Sequence, residues 1–281
     1  MAKENIIAFS QSHAEPEWLQ VRRQTAFDKI SELKLPLIQR VKLDRWNFGN
    51  NDITESLDSS NVPDFTNLGE NPKLIQVGTT TVFQQLSPDL ANKGVIFTDF
   101  YSALEEIPEI IEQYFGTALP FDEDKLTAYH TAYFNSAAVL YVPDNVEVNV
   151  PVEGLFYQDS DEAVPFNKHV LIIVGKHAKL SYLERFESLG KDSVKNTANI
   201  AVEVIALEGA QVKFSAIDRL GSNLTTFISR RGRLNKNAQI DWNLGVMNEG
   251  NVVADFDSDL VGEGSHAELK AVAISSGKQI Q

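Results

Sequence analysis

Five times in its second half the chain writes the same short phrase: "VEVNV" (146–150), "AKLSY" (178–182), "AQVKF" (210–214), "AQIDW" (238–242) and "AELKA" (267–271). Successive copies start 32, 32, 28 and 29 residues apart. In each copy the first, third and fifth residues are apolar and the two between are polar. A strand sends alternate side chains to opposite faces, so every copy reads as a strand with one buried and one wet side. Ahead of four copies runs a second strand-like segment: "VLIIV" (170–174), "IAVEVIAL" (200–207), "FISRRGRL" (227–234) and "ADFDSDL" (254–260). Turn-prone links such as "GKH", "EG", "NKN" and "GEGSH" join each to its phrase. A unit of two strands and a turn cannot cover its own apolar face, whereas stacked near-copies can. That is the logic of a solenoid, and strand-only repeats make it a parallel β-helix. A β-sandwich also has alternating strands, but nothing in it requires the same small-x-large-x-aromatic order at near-constant intervals.

The first half has a different period. Residues 1–134 read as a helical or mixed region, and 135–281 as the β-helix. "SHAEPEWLQVRRQTAFDKISEL" (12–33) has Pro16 in a first-turn position and apolar residues at helical spacing, with Pro36 beyond its end. "GVIFTDF" (94–100) reads as a short strand. "SALEEIPEIIEQYFG" reads as a helix stopped at Gly116, with Pro108 inside its first turns. "DEDKLTAYHTAYFN" opens with acids that favour a helix N-terminus, and Leu126, Tyr129 and Tyr133 are the expected packing residues. Residues 50–73, rich in Asn, Asp, Ser and Pro, read as a surface loop. A bare last coil exposes a row of unpaired N–H and C=O groups, so the expectation is that the protein continues past Gln281 or that a second copy covers this edge.

Composition narrows the function. With 25 basic and 39 acidic residues the net charge is −14, which repels a phosphate backbone and argues against a nucleic-acid partner. There is no cysteine, hence no disulfide, thiolate metal site or cysteine nucleophile. "MAKENIIAFS" is not a signal peptide, and the longest apolar runs fall far short of a membrane span. A cytoplasmic protein with no membrane partner is expected.

Motifs for chemistry are sparse. The histidines, His13, His130, His169, His177 and His266, form no H-x-x-x-H pair. His177 and His266 both precede a repeat phrase, so stacking is expected to bring them to one edge. Asp255, Asp257 and Asp259 begin like a calcium loop, but Leu260 and His266 stand where glycine and glutamate are needed. On a strand the three share one face, either as a solvated side or as the carboxylate row of a carbohydrate-active β-helix enzyme. "SSGKQ" (275–279) lacks the rest of a phosphate loop, and no nucleophile elbow occurs. No catalytic, cofactor-binding or metal-ligating residue is assigned, and the chain reads as a non-enzyme.

Three stretches carry a likeness: "AAVLYVPDNVEVNVPVEG" (137–154), "HVLIIVGKHAKLSYLERFES" (169–188) and "LVGEGSHAELKAVAISSGKQIQ" (260–281). With the run VP-x-x-V-x-V-x-x-P (142–151) and the GEG turn (262–264), they resemble the SufB/SufD family of iron–sulfur cluster assembly proteins. The likeness is firm from about Gly94 onward and looser in "LPLIQRVKLDRWNFGN" (35–50). It implies a helical N-terminal region followed by a right-handed parallel β-helix. It further implies a non-catalytic scaffold partnered by a SufB-like paralogue and the ATPase SufC, or a homodimer through the open β-helix edge. The iron–sulfur cluster, ATP and a flavin are implied only for the whole complex. SufB-type chains carry a cysteine that accepts persulfide sulfur, so this cysteine-free chain is similar to the SufD type. The family's SufC-binding helical part and its interface histidine lie toward the C-terminus, beyond these stretches, so no functional residue is transferred.

Overall fold

A computed structural model of the chain describes residues 2–39, 41–48, 53–55, 68–277 and 279–280. Most of the loop expected over 50–73 lies outside the described residues. Helices α1 (Ala2–Ser12), α2 (Glu17–Lys29), α3 (Pro88–Asn92), α4 (Phe100–Glu106), α5 (Pro108–Tyr114) and α6 (Lys125–Tyr133) fill the first half, with β1 (Lys73–Val77), β2 (Thr80–Gln85) and β3 (Ile96–Asp99) among them. Then come only strands: β4 (Ser136–Val142), β5 (Val152–Asp159), β6 (Lys168–Val174), β7 (Lys179–Leu189), β8 (Asn196–Ala206), β9 (Gln211–Arg219), β10 (Leu224–Leu234), β11 (Gln239–Val246), β12 (Asn251–Leu260) and β13 (His266–Ala273).

Pro108 opens α5, where its missing N–H would have had no partner anyway, and so divides the single helix expected there into α4 and α5 at Ile107. Asp124 caps α6 by accepting from the Leu126 and Thr127 N–H groups, and its own N–H donates to the Thr127 hydroxyl. The acids at this helix start thus act as expected. α1 and the β1–β2 hairpin carried no sequence signal that stood out.

From β4 onward the chain alternates between two sheets. One has the order β13-β11-β9-β7-β5-β1-β2 and the other β12-β10-β8-β6-β4-β3. Neighbours among β4–β13 are all parallel, so each pair of consecutive strands is one coil of a β-solenoid of about five turns. β1 adds to β5 in parallel, while β2 pairs antiparallel with β1 and β3 antiparallel with β4, finishing the first end. The parallel β-helix expected from the repeats is the architecture found.

The repeat phrases line the interior. Leu180, Val212 and Ile240 stack in one column, and Tyr182, Phe214 and Trp242 in the next, with ring centroids 5.3 and 4.7 Å apart. Two copies sit out of the expected register. Ile240 faces Ala267, and Leu269 faces Trp242, because the residue equivalent to Ala238 is Ser265. Both close the same turn, Ala238 N–H to Asn235 O and Ser265 N–H to Gly262 O. Serine fits the small corner position but is polar, which misleads an alignment on apolar residues. In the first copy Val152, not Val150, pairs with Tyr182. The segment ending in Pro151 bulges out, leaving Val150 exposed.

These turns form a ladder. The third residue has positive φ in every coil: Asn145 (62°), His177 (58°), Gly209 (69°), Asn237 (56°) and Gly264 (73°). Such turns favour glycine and asparagine at that position. A Cβ on Gly209 would stand 2.4 Å from Nδ1 of His177 in the coil below. Gly209→Ala should therefore lose about 1–2 kcal/mol, read as a lower urea midpoint. An unchanged midpoint would mean that the ladder is not stacked as described.

The outer face of the even-numbered sheet is buried under the helices. Phe100, Phe115 and Phe134 pack on Val139, Leu171, Ile173 and Ile205, and Leu126 joins Phe227 and Val253. Tyr129 and Tyr133 pack instead with Ile6, Phe9 and Ala26 of α1 and α2. The outer face of the other sheet stays polar and open along β7, β9 and β11.

Candidate functional site: the open coil and the charged interior

β12 and β13 are the last strands of their sheets. Leu260, Val261, Leu269, Val272 and Ile274, each between 50 and 58% exposed, crowd this coil. A cavity of about 180 Å³ opens here between Trp242, Phe256, Ser258, Leu260 and Leu269. A strand edge flanked by apolar side chains is covered in a solenoid either by a further coil or by another chain.

Asp255, Asp257 and Asp259 share the outward face of β12, as the alternation requires. They are not a free carboxylate row, because β10 sets its arginines beside them. Arg231 lies 2.6 Å from Asp255, 3.1 Å from Asp257 and 2.5 Å from Glu123, and Arg233 3.9 Å from Asp259. His177 and His266 both stand beside the ladder of turns, on one edge as expected, but three coils apart. His177 occupies a turn of the second coil, whereas His266 lies within β13 opposite Gln239 of β11. Among the described residues no group of three or more His, Asp and Glu could hold a metal ion, and no helix is long and apolar enough to cross a membrane.

Sequence reading missed the buried charges. Arg230 of β10 points inward and is fully buried. It donates to Glu184 of β7 at 2.8 and 3.2 Å and to Asp218 of β9 at 2.7 and 2.9 Å. The rings of Phe186, Phe214 and Phe256 surround it, with centroids 5.7, 6.0 and 5.7 Å from its guanidinium carbon. Burial pushes the Glu184 carboxyl up to about 7, with Arg230 pulling the other way. The signal was there: each of the three charges falls at a position where the alternation calls for an apolar residue. A second cluster ties the helices to the solenoid. Glu203 of β8 accepts from the N–H groups of Gly116, Ala118 and Leu119 at 2.7, 2.8 and 3.0 Å. His169 Nε2 of β6 lies 3.1 Å from the same carboxylate, off the axis of a hydrogen bond. His169 Nδ1 meets His130 Nε2 at 3.0 Å, and His130 Nδ1 meets the Asn199 carbonyl at 3.2 Å. That carbonyl only accepts, so His130 carries its proton on Nδ1 and takes a hydrogen bond from His169. Burial, then the nearby His169, hold the His130 pKa well below the ordinary value. Third, Lys168 is fully buried and donates to Gln76 Oε1 at 2.8 Å and to the Ser136 hydroxyl. Burial lowers its pKa well below that of a free lysine.

The family described as "SUF system FeS cluster assembly, SufBD core domain" matches residues 156–281, and "SufBD protein N-terminal region" matches 67–153. The chain belongs to the SufB/SufD family. Iron-sulfur cluster assembly protein SufD of Bacillus subtilis is 35% identical over 294 residues, which cover 99% of this chain and 66% of that protein. SufBD family proteins of Staphylococcus saprophyticus and Staphylococcus epidermidis are 24% identical over 95% of this chain and 56% of theirs. The chain thus spans between about half and two thirds of these relatives' length, and it is of the SufD type. The two SufBD matches meet in β5, inside the solenoid, so the N-terminal part supplies the first-end strands β1–β4 and the core part the later coils.

Proposed function

We propose that this SufD-type chain is a non-catalytic scaffold subunit of a cytoplasmic Suf-type iron–sulfur cluster assembly complex, partnered by a SufB-like chain and the SufC ATPase. The observation that carries the reading is the SufBD match over both halves of a cysteine-free solenoid. Cluster, iron and sulfur are cargo of the assembly, and this chain contributes shape and surface. Affinity purification of the tagged protein from its native host under anaerobic conditions should recover a SufB-like chain and SufC. Recovery of neither, with the bait folded and abundant, would overturn the proposal.

A further inference from the structure

A groove runs between the α1–α2 turn and the α4–α5 junction. Its cavity, about 300 Å³, has walls of Trp18, Tyr101, Leu104 and Pro108, with Glu105 and Glu112 at its rim. Between Lys93 and Lys125 the chain has eight Asp and Glu and no Lys or Arg. Glu105, Glu106, Glu109 and Glu112, all exposed, come from this stretch. The walls are held rigidly. Tyr101 donates to Glu15 Oε1 at 3.1 Å and stacks on His13 at 4.7 Å. Glu15 is in turn fixed by Arg23 at 2.7 Å and Ser10 at 2.7 Å. The basic side chains nearest the groove are already engaged. His13 pairs with Glu55 at 2.9 Å, while Arg22 lies over Trp18 and donates to the Phe115 carbonyl.

A pre-organised aromatic wall beside carboxylates is the environment that recognises a cation carried on an apolar stem. An apolar occupant would desolvate Glu105 and Glu112 for nothing, and an acidic one would be repelled. We infer that this groove docks a basic segment of a partner protein, an Arg or Lys flanked by an apolar residue. The inference is separate from the assembly role, since it can be read on the purified chain alone.

The probe is a fluorescein-labelled Leu-Arg-Leu-Arg tetrapeptide, with Leu-Glu-Leu-Glu as its acidic counterpart, followed by anisotropy at about 0.15 M salt, where exposed charges more than about 8 Å apart are screened. The basic peptide should bind saturably and the acidic one should not. Glu105→Lys with Glu112→Lys should weaken binding at least tenfold. Glu208→Lys with Glu263→Lys changes net charge equally at a distant corner and should leave binding as in the parent. Absence of saturable binding, an equal loss in both double variants, or tighter binding of free spermidine than of the peptide would each overturn the inference.

Discussion

Replacing Arg230 by alanine should destabilise the fold by about 3–5 kcal/mol, because it strands two carboxylates in the solenoid interior without a counter-charge. The charged triad is not needed for packing as such. Arg230→Met combined with Glu184→Leu and Asp218→Leu should be far milder than the single change, since a buried ion cluster exchanged for apolar residues of similar volume is often neutral or stabilising. Urea unfolding of the two variants beside the parent separates these outcomes, and equal losses would refute the uncompensated-charge argument. pH adds a second readout. The Glu184 carboxyl sits at about 7 in the fold against 4.5 for the free group. A raised folded pKa gives stability that is complete below 4.5 and is lost as pH rises through about 7. The loss is on the order of 3 kcal/mol by proton linkage. Glu184→Gln should flatten that slope. His130 has the opposite sign: its depressed pKa favours the fold above about 6.5, and that contribution falls away in acid. In Glu184→Gln the acid-side decline should therefore stand alone.

Glu203→Ala should be of similar size, about 3–5 kcal/mol. The carboxylate answers three N–H groups of the 116–119 turn and faces His169, and each orphaned buried donor costs about 1–3 kcal/mol. The effect has an address. Amide exchange of Gly116, Ala118 and Leu119 should accelerate well beyond that of β9 and β11, because this link fastens the helical layer to the even-numbered sheet. Glu203→Gln keeps one acceptor and should fall between. If those three amides exchanged as in the parent, Glu203 would not be the fastening.

The solenoid was legible because stacking coils must repeat their inward residues, so "AKLSY", "AQVKF" and "AQIDW" give away both fold and register. The reading slipped where size and polarity part company. Ser265 fills a corner meant for a small residue, and Val150 is apolar yet bulges outward. Arg230, Glu184 and Asp218 could have been flagged by parity alone, as charges on an apolar face. Glu203 and His169 could not: the near-continuous apolar runs "VLIIV" and "IAVEVIAL" say that both faces of β6 and β8 are covered, but not which backbone groups meet a charge there. β1 also escaped notice: besides β2, its partner is Glu153 and its neighbours in β5, some eighty positions away. The SufBD likeness was carried by coil residues, and so identified the family without assigning a site.

The most direct test of the account uses the absence of native cysteine. Ser215 of β9 and Asn243 of β11 are in-register neighbours on the outer face of one sheet, at the spacing of about 4.8 Å between paired strands, within disulfide reach. Ser215→Cys with Asn243→Cys should therefore cross-link readily under mild oxidation. Ser215→Cys with Ser229→Cys, which a hairpin folded at Ser222 would set face to face, should not, since β9 and β10 belong to different sheets. The reverse result, a bond between 215 and 229 and none between 215 and 243, would contradict the solenoid.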